Sequence, residues 1–212
     1  MSPYVEGVLL AAGESRRMGF PKPLLMVEGR TFIAHLCDTL LAELPHVLVV
    51  LGAYAEQIRA AIPDNPRLTI VENPNYTAGQ LSSLKAAVAA VDTRADAILV
   101  HLADQPLIQR RTISSLLAAY AAGSKKIVVA RYQGKRGHPV IFDRSVFREL
   151  MEVPDTLGAR AVVHSDPERV ACVEIDDSGV VTDFDFPSDL ARAGLGEPPA
   201  SAGQARSVKK QN

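Results

Sequence analysis

The sequence predicts an α/β protein, a three-layer α/β/α sandwich around a mostly parallel, Rossmann-like sheet. Two observations predict it. Short runs of nearly continuous apolar residues, such as "VEGVLLA" and "HVLVVLG", are typical of strands that are covered on both faces. Segments with apolar residues at helical spacing lie between these runs, and such strand–helix alternation favours a parallel sheet.

The elements follow in a regular order. Thr31 opens the first helix as an N-cap, and Phe32, Leu36 and Leu40 follow it at helical spacing. Apolar runs predict strands at Val5–Ala11, His46–Gly52, Leu68–Asn73, Ala97–Asp104, Lys126–Tyr132, Pro139–Asp143, Val170–Ile175 and, after a "DDSG" turn, Gly179–Asp183. Helical spacing predicts helices at Thr31–Glu43, Ala55–Ala61, Ser82–Val91, Arg111–Ala122, Ser145–Met151 and Ala159–His164.

Length and composition indicate one domain over residues 1–193, followed by a Gly-, Pro-, Ala- and Ser-rich tail, 194–212, that is expected to be disordered. Charge is balanced, with 23 Lys and Arg against 24 Asp and Glu, which argues against binding to nucleic acid or to an anionic membrane. Cys37 and Cys172 have no metal-ligand spacing, and the chain shows neither a signal peptide nor a membrane-length apolar run. We therefore expect a cytoplasmic protein.

The first strand leads into an unusual basic loop, "LAAGESRRMGFPK". It matches neither GxxxxGK[ST] nor GxGxxG. Its small residues would let backbone N–H groups approach a ligand, while Arg16, Arg17 and Lys22 could neutralise phosphate oxygens. An exposed basic turn is the alternative, and the loop alone leaves both interpretations open.

Asp104 follows another apolar strand. Because ligands in doubly wound sheets bind outside the carboxyl ends of the strands, Gly13 and Asp104 are expected to lie together. The rigid Pro106 that follows favours an exposed carboxylate, although a turn or helix-capping role for Asp104 is also open. Asp183 and Asp185 alternate along a strand-like segment, which predicts that they share one face.

The opening motif resembles the signature of the molybdopterin nucleotidyltransferase (MobA-like) family. Four further segments resemble that family's motifs in the same order: "NPNYTAGQLSSL", "LADQP", "GKRGHPVIF" and "DFDFPSDL". The resemblance covers the chain from Gly7 to about Leu190. LAAG in place of LAGG, together with Gly-His-Pro, makes the chain similar to the branch of molybdenum cofactor cytidylyltransferases.

The resemblance implies a fold of the nucleotide-diphospho-sugar transferase type and a reaction that depends on Mg²⁺. In this reaction the terminal phosphate of molybdopterin attacks the α-phosphate of CTP and releases pyrophosphate, and a molybdenum hydroxylase is the recipient of the product. Three alternatives stay open: another phosphorylated acceptor, GTP in place of CTP, or a non-catalytic chaperone for the molybdenum cofactor. An oxidoreductase on a related scaffold is a further alternative, but no dinucleotide-binding motif supports it.

The resemblance also implies roles for individual residues. Lys22, Arg17 and Asp104 are the expected catalytic residues, Asp104 and Asp185 the metal ligands, and His138 a contact to the pterin or its phosphate. The expected nucleotide-binding residues are Leu10, Ala11, Ala12, Gly13, Arg17, Lys22, Gly79, Ser82 and Ser83.

Some alternatives remain at single residues. Arg16 falls at a variable position of the motif and is expected to be a bystander. Ser82 and Asp189 could each cap a helix, Asp183 could replace or orient Asp185, and His138 could be structural. His101 is expected to be a satisfied core histidine.

Two departures from the family pattern concern the acceptor more than the nucleotide. Ala103 replaces a glycine and adds a methyl group, and Phe186 replaces a threonine and removes a hydroxyl donor.

Overall fold

The computed structural model describes residues 2–123 and 125–195. In these residues a central sheet is formed by seven strands and a small hairpin by two. The strands are β1 (Val5–Ala11), β2 (Met26–Val27), β3 (Arg30–Thr31), β4 (Val47–Leu51), β5 (Leu68–Glu72), β6 (Ala97–Leu102), β7 (Ile127–Tyr132), β8 (Lys135–Asp143) and β9 (Val170–Glu174). The helices are α1 (Phe32–Leu41), α2 (Ala55–Arg59), α3 (Gln80–Ala90), α4 (Arg110–Ala122), α5 (Phe147–Glu152), α6 (Arg160–Ser165) and α7 (Pro187–Arg192).

The large sheet has the order β5-β4-β1-β6-β8-β7-β9. Neighbouring strands are parallel except where β8 pairs with β6 and with β7. Every residue of β1 and β4 is buried, as expected for central strands covered on both faces. The mostly parallel sheet predicted from the apolar runs is confirmed.

Helices cover both faces of this sheet. One core cluster joins the sheet to α1, α2 and α4 through residues such as Leu36, Ile58 and Leu116. A second cluster on the opposite face includes Leu84 of α3 and Leu150 of α5. The three-layer sandwich is therefore confirmed. Thr31 caps α1 as predicted, since its hydroxyl accepts the backbone N–H of Ala34.

The predicted strand at Gly179–Asp183 is wrong. Residues Ser178–Val181 form a 3₁₀ helix instead. The buried carboxylate of Asp177 accepts hydrogen bonds from the Gly179 N–H at 2.9 Å and from the Thr112 hydroxyl at 2.6 Å. These bonds fix a helical turn against α4. The sequence pattern of so short a segment cannot distinguish such a turn from a strand.

The chain leaves β1 towards β4 and β5 and then returns to the other side of β1 as β6. The topological switch point therefore lies between β1 and β6, and the carboxyl ends of these two strands are the expected place for a ligand. None of the helices in the described ranges combines the length and apolar character that crossing a bilayer requires. The predicted disordered tail lies outside the described residues from position 196 onward, and Leu195 packs against a third cluster that contains Phe184.

Candidate active site

A cavity of about 590 Å³ lies at the switch point. The ends of β1 and β6, the basic loop and the start of α3 form its walls. The expected site residues that line it are Leu10, Ala11, Ala12, Gly13, Arg17, Lys22, Gly79, Ser83, Asp104 and Asp185. The structure thus brings Gly13 and Asp104 together, as the order of the strands predicts.

Lys22 lies between the two aspartates. Its Nζ is 3.0 Å from Asp104 Oδ2 and 2.5 Å from Asp185 Oδ1, and its side chain is only 12% exposed. Burial by itself would lower the pKa of Lys22, but the attraction of Asp104 and the hydrogen bonds to both carboxylates outweigh it, so the pKa is raised. Lys22 is therefore a buried, permanently charged group at neutral pH.

Arg17 and Arg16 both line the cavity but make different contacts. Arg17 Nη1 lies 2.8 Å from Asp185 Oδ2, and its guanidinium stacks 5.3 Å from the centre of the Phe186 ring. Arg16 pairs with Glu14, two positions before it, and its side chain is 78% exposed. Phe186, which lacks the hydroxyl of the family's threonine, thus holds the position of Arg17 instead.

A backbone hydrogen bond joins the loop of Asp104 to the loop of Asp185. The Phe184 N–H donates to the Asp104 carbonyl oxygen at 3.0 Å. The Phe184 side chain is buried and packs edge-to-face on Phe32, with the ring centres 5.5 Å apart. This contact, rather than a shared strand, sets the spacing between the carboxylates.

Asp189 caps α7. Its Oδ2 accepts the backbone N–H groups of Asp185 and Phe186 at 2.9 and 2.7 Å. The geometry therefore favours a capping role for Asp189, and the same contacts fix the backbone of Asp185.

The two expected serines at the start of α3, Ser82 and Ser83, differ in whether they line the cavity. Gly79 precedes the helix with a φ of 112°, which favours glycine. The Ser82 hydroxyl donates to the Gly79 and Asn75 carbonyl oxygens and accepts from Asn73 Nδ2. Ser82 is therefore not among the residues that line the cavity. It does not cap α3 either, because Gly79 is the N-cap and, among the described residues, no side chain accepts an N–H of the first turn. Ser83 lines the cavity while its hydroxyl also accepts from Asn73.

A second cavity, of about 650 Å³, adjoins the first. Both are lined by Leu10, Gln80, Leu102 and Asp183. The structure places His138 in the lining of this second cavity rather than in the first, and Gln105 lines the second cavity as well. Burial lowers the pKa of His138 to about 4 although Asp104 opposes the shift, so its ring is neutral at pH 7.

His101 is a core histidine. It is fully buried on β6, and its Nε2 donates to the Gln105 carbonyl oxygen at 2.9 Å. Burial lowers its pKa to about 3. Its ring therefore stays neutral and holds the loop after Asp104.

The order of motifs along the chain agrees with a comparison against protein families. Residues 7–170 match the MobA-like NTP transferase domain. The chain belongs to this family. It is a nucleotidyltransferase enzyme, and the resemblance drawn from the five motifs is confirmed.

Curated relatives of this MobA-like transferase span nearly its whole length. Nicotine blue oxidoreductase of Paenarthrobacter nicotinovorans is 34% identical over 90% of this chain and 96% of its own. Molybdenum cofactor cytidylyltransferase of Escherichia coli is 27% identical over 89% of this chain and 95% of its own. Purine catabolism protein PucB of Bacillus subtilis is 32% identical over 89% and 95%.

Solved structures agree with the fold. Rv0371c of Mycobacterium tuberculosis superposes with a TM-score of 0.78 at 32% identity, covering 91% of this chain and 97% of its own. Another structure of that protein, in complex with manganese, has a TM-score of 0.73 at 32% identity and covers 89% and 96% of the two chains.

Sequence reasoning missed several residues that shape the site of this transferase. The Ser15 hydroxyl accepts the Lys22 N–H at 3.0 Å and so fixes the loop. Asn73 holds both serines of α3, and Phe184 joins the aspartate loops. Asn73 and Phe184 fall inside the quoted motifs, so their positions were visible, but their contacts depend on the folded chain.

Proposed function

We propose that this transferase moves CMP from CTP to the terminal phosphate of molybdopterin and releases pyrophosphate, with Mg²⁺ as its cofactor. One observation carries the proposal. A charged lysine, Lys22, lies between two carboxylates in a cavity walled by a small-residue loop and two strand ends. Transfer between two phosphates requires such neutralisation and in-line positioning more than it requires covalent chemistry.

The loop after β1 suits the triphosphate. Gly13 has no neighbouring heavy atom within 4 Å of an added Cβ, so the cavity is open to a close backbone approach. Arg17 can bind phosphate oxygens with its planar guanidinium, and Lys22 can do so as a point charge. Ser83 and the N-terminus of α3 lie at the far wall, where they can contact the nucleoside.

Asp104 and Asp185 fit a magnesium site that is shared with the substrate. In the described ranges no three His, Cys, Asp or Glu side chains are grouped to hold a metal by themselves. Mg²⁺, however, usually takes one or two carboxylates together with substrate phosphates and waters. When bound, it would neutralise the charge that develops on the transferring phosphate. The manganese in Rv0371c supports a divalent ion in this fold.

The acceptor needs no general base, because a phosphate monoester has a second pKa of about 6 and is ionised at neutral pH. His138 is neutral, and it can therefore offer one donor and one acceptor to a bound molecule but no charge. Its place in the second cavity supports the expected contact with the pterin.

The comparisons support molybdopterin as the acceptor more strongly than they support CTP over GTP as the nucleotide. The cytidylyltransferase of Escherichia coli is a relative along nearly the whole chain, while a molybdenum cofactor guanylyltransferase of Shewanella loihica is 32% identical over 66% of this chain. The LAAG loop and the Gly-His-Pro segment favour CTP.

An oxidoreductase is the second candidate, because a relative named nicotine blue oxidoreductase is 34% identical. The buried Lys22 between two aspartates favours phosphate chemistry instead. An absorbance assay with nicotine blue and a reduced nicotinamide cofactor separates the two candidates. Loss of the dye without pyrophosphate release would favour the second.

The deciding experiment measures pyrophosphate release from each of the four nucleoside triphosphates with Mg²⁺ and molybdopterin. We expect release from CTP well above the others. Equal, weak release from all four would contradict the cytidylyl assignment, and cofactor binding without release would indicate a chaperone. Asp104→Asn should lower turnover at least about 100-fold while the fold is kept, since a carboxylate aimed at the reacting phosphates is lost. Asp64→Asn, an exposed substitution outside the cavity, is the matched control.

Asp185 and Asp183 can be distinguished in the same assay. Asp185 contacts both Lys22 and Arg17, whereas Asp183 is exposed at the shared wall of the cavities. We expect Asp185→Asn to raise the Mg²⁺ concentration for half-maximal activity about 10-fold or more, and Asp183→Asn to change it little. The reverse order would assign the metal to Asp183.

A further inference from the structure

The second cavity contains a buried polar atom without a protein partner. Gln105 is 7% exposed and lines this cavity. Its Oε1 is buried and has no hydrogen-bond partner among residues 2–123 and 125–195. Buried polar side-chain atoms are nearly always paired in native proteins, so an unpaired amide oxygen on a residue of the cavity wall points to a ligand that supplies the missing donor.

The position of Gln105 is fixed by its own backbone. Its carbonyl oxygen accepts from the buried ring of His101 at 2.9 Å, and its N–H donates to the Leu102 carbonyl oxygen at 3.2 Å. Gln105 directly follows Asp104, and the cavity that it lines shares wall residues with the cavity that contains the proposed metal ligands. His138 lies on the wall of the same cavity.

The rest of the cavity suits a flat, anionic heterocycle. Apolar side chains form much of its wall, among them Leu81, Leu84, Val100, Val140 and Phe142. Three cations also line it, namely Lys135, Arg136 and Arg160. Two carboxylates also line it: Asp155, which is paired with Lys85 at 2.8 Å, and Asp183, so the three cations are only partly balanced.

We propose that Gln105 is an acceptor-specificity residue, whose side-chain amide pairs with the N–H-bearing edge of a pterin-type heterocycle bound in the second cavity. The inference rests on the proposed function, because it describes the acceptor half of the same active site. It adds a residue and a recognition chemistry: the amide oxygen accepts from ring or exocyclic N–H groups, and the cations attract the acceptor's anionic group.

The test uses a fluorescent 6-substituted pterin monophosphate as the probe and titrates it into the full chain. Gln105→Met keeps the volume and removes the amide. We expect it to weaken probe binding about 10-fold or more, since the donors of the ligand lose their partner. CTP affinity in the presence of Mg²⁺ should stay within about 2-fold, and the Tm should not fall, because an unpaired buried group has been removed. Gln109→Met, an exposed glutamine outside both cavities, is the matched control.

A second measurement does not depend on a variant. The wild-type chain should bind the pterin at least about 5-fold more tightly than the matching lumazine, in which an oxygen replaces the exocyclic amine. Gln105→Met should lose this discrimination. No probe binding to the wild type, unchanged affinity in Gln105→Met, or a parallel loss of CTP affinity and Tm would each overturn the proposal. Probe binding through Gln105 without pyrophosphate release from CTP would instead overturn the proposed function alone.

Discussion

Replacing Lys22 by Met removes the cation that Asp104 and Asp185 share. Breaking a fully buried ion pair costs about 3–5 kcal/mol, and an exposed pair contributes about 0–1 kcal/mol. The side chains of Lys22, Asp104 and Asp185 are 12%, 28% and 20% exposed, which places them between these limits. Arg17 stays on Asp185. We therefore expect a loss of about 2 kcal/mol, which lowers the Tm by about 4–8 °C in a domain of this size.

Magnesium should then restore much of this stability. In the variant the two carboxylates face each other without Lys22, and a divalent cation can take its place. At ten times its Kd, Mg²⁺ returns about 1.4 kcal/mol. The wild type gains less, because Lys22 already lies between the two carboxylates. Turnover should stay low in the variant even with Mg²⁺, since the lysine contact to the phosphates is missing.

The assay is thermal unfolding of the wild type and the variant with and without Mg²⁺, followed by pyrophosphate release. Arg16→Met is the control for lost charge, because the ion pair of Arg16 with Glu14 is exposed, and the Tm of this variant should not change. An unchanged Tm in Lys22→Met without metal would refute the shared-cation argument. Equal stabilisation of wild type and variant by Mg²⁺ would refute the competition between lysine and metal.

Three further predictions concern pH, Gly137 and Gly13. The pKa values of His101 and His138, about 3 and about 4, lie below the ordinary value, so the unfolded chain binds more protons below about pH 6.5. The free energy of unfolding, measured with urea, should therefore be highest near pH 7 and lower by about 2 kcal/mol per histidine at pH 5. A urea midpoint that does not change with pH would contradict this. Gly137→Ala would place a Cβ 1.9 Å from the Val180 carbonyl oxygen and should cost about 3 kcal/mol or more. Gly13→Ala meets nothing within 4 Å, so it should keep the Tm and weaken triphosphate binding, and the opposite pattern in calorimetry would be evidence against the cavity assignment.

Local patterns were sufficient for most of the fold. The central strands are apolar throughout, and Thr31 marks the start of α1 with a side-chain cap. The limits of this reasoning appear at Ser178–Val181, where the buried Asp177 stabilises a 3₁₀ helix in a stretch that also fits a strand. Asp177 is itself held by the hydroxyl of Thr112, 65 positions away, and a local pattern does not reveal such a contact.

The sequence by itself determined the family, the sheet and the residues expected around the phosphates, because the motifs and the strand periodicity are local properties. Only the tertiary structure decided that Lys22 joins Asp104 to Asp185 and that the Ser82 hydroxyl is hydrogen-bonded to Asn73 within the protein. It also decided that Gln105 and His138 line the second cavity. The physical reason is the same in each case. Ion pairs and cavities arise between residues that are up to 163 positions apart, and the order of the strands, not the spacing along the chain, brings them within reach.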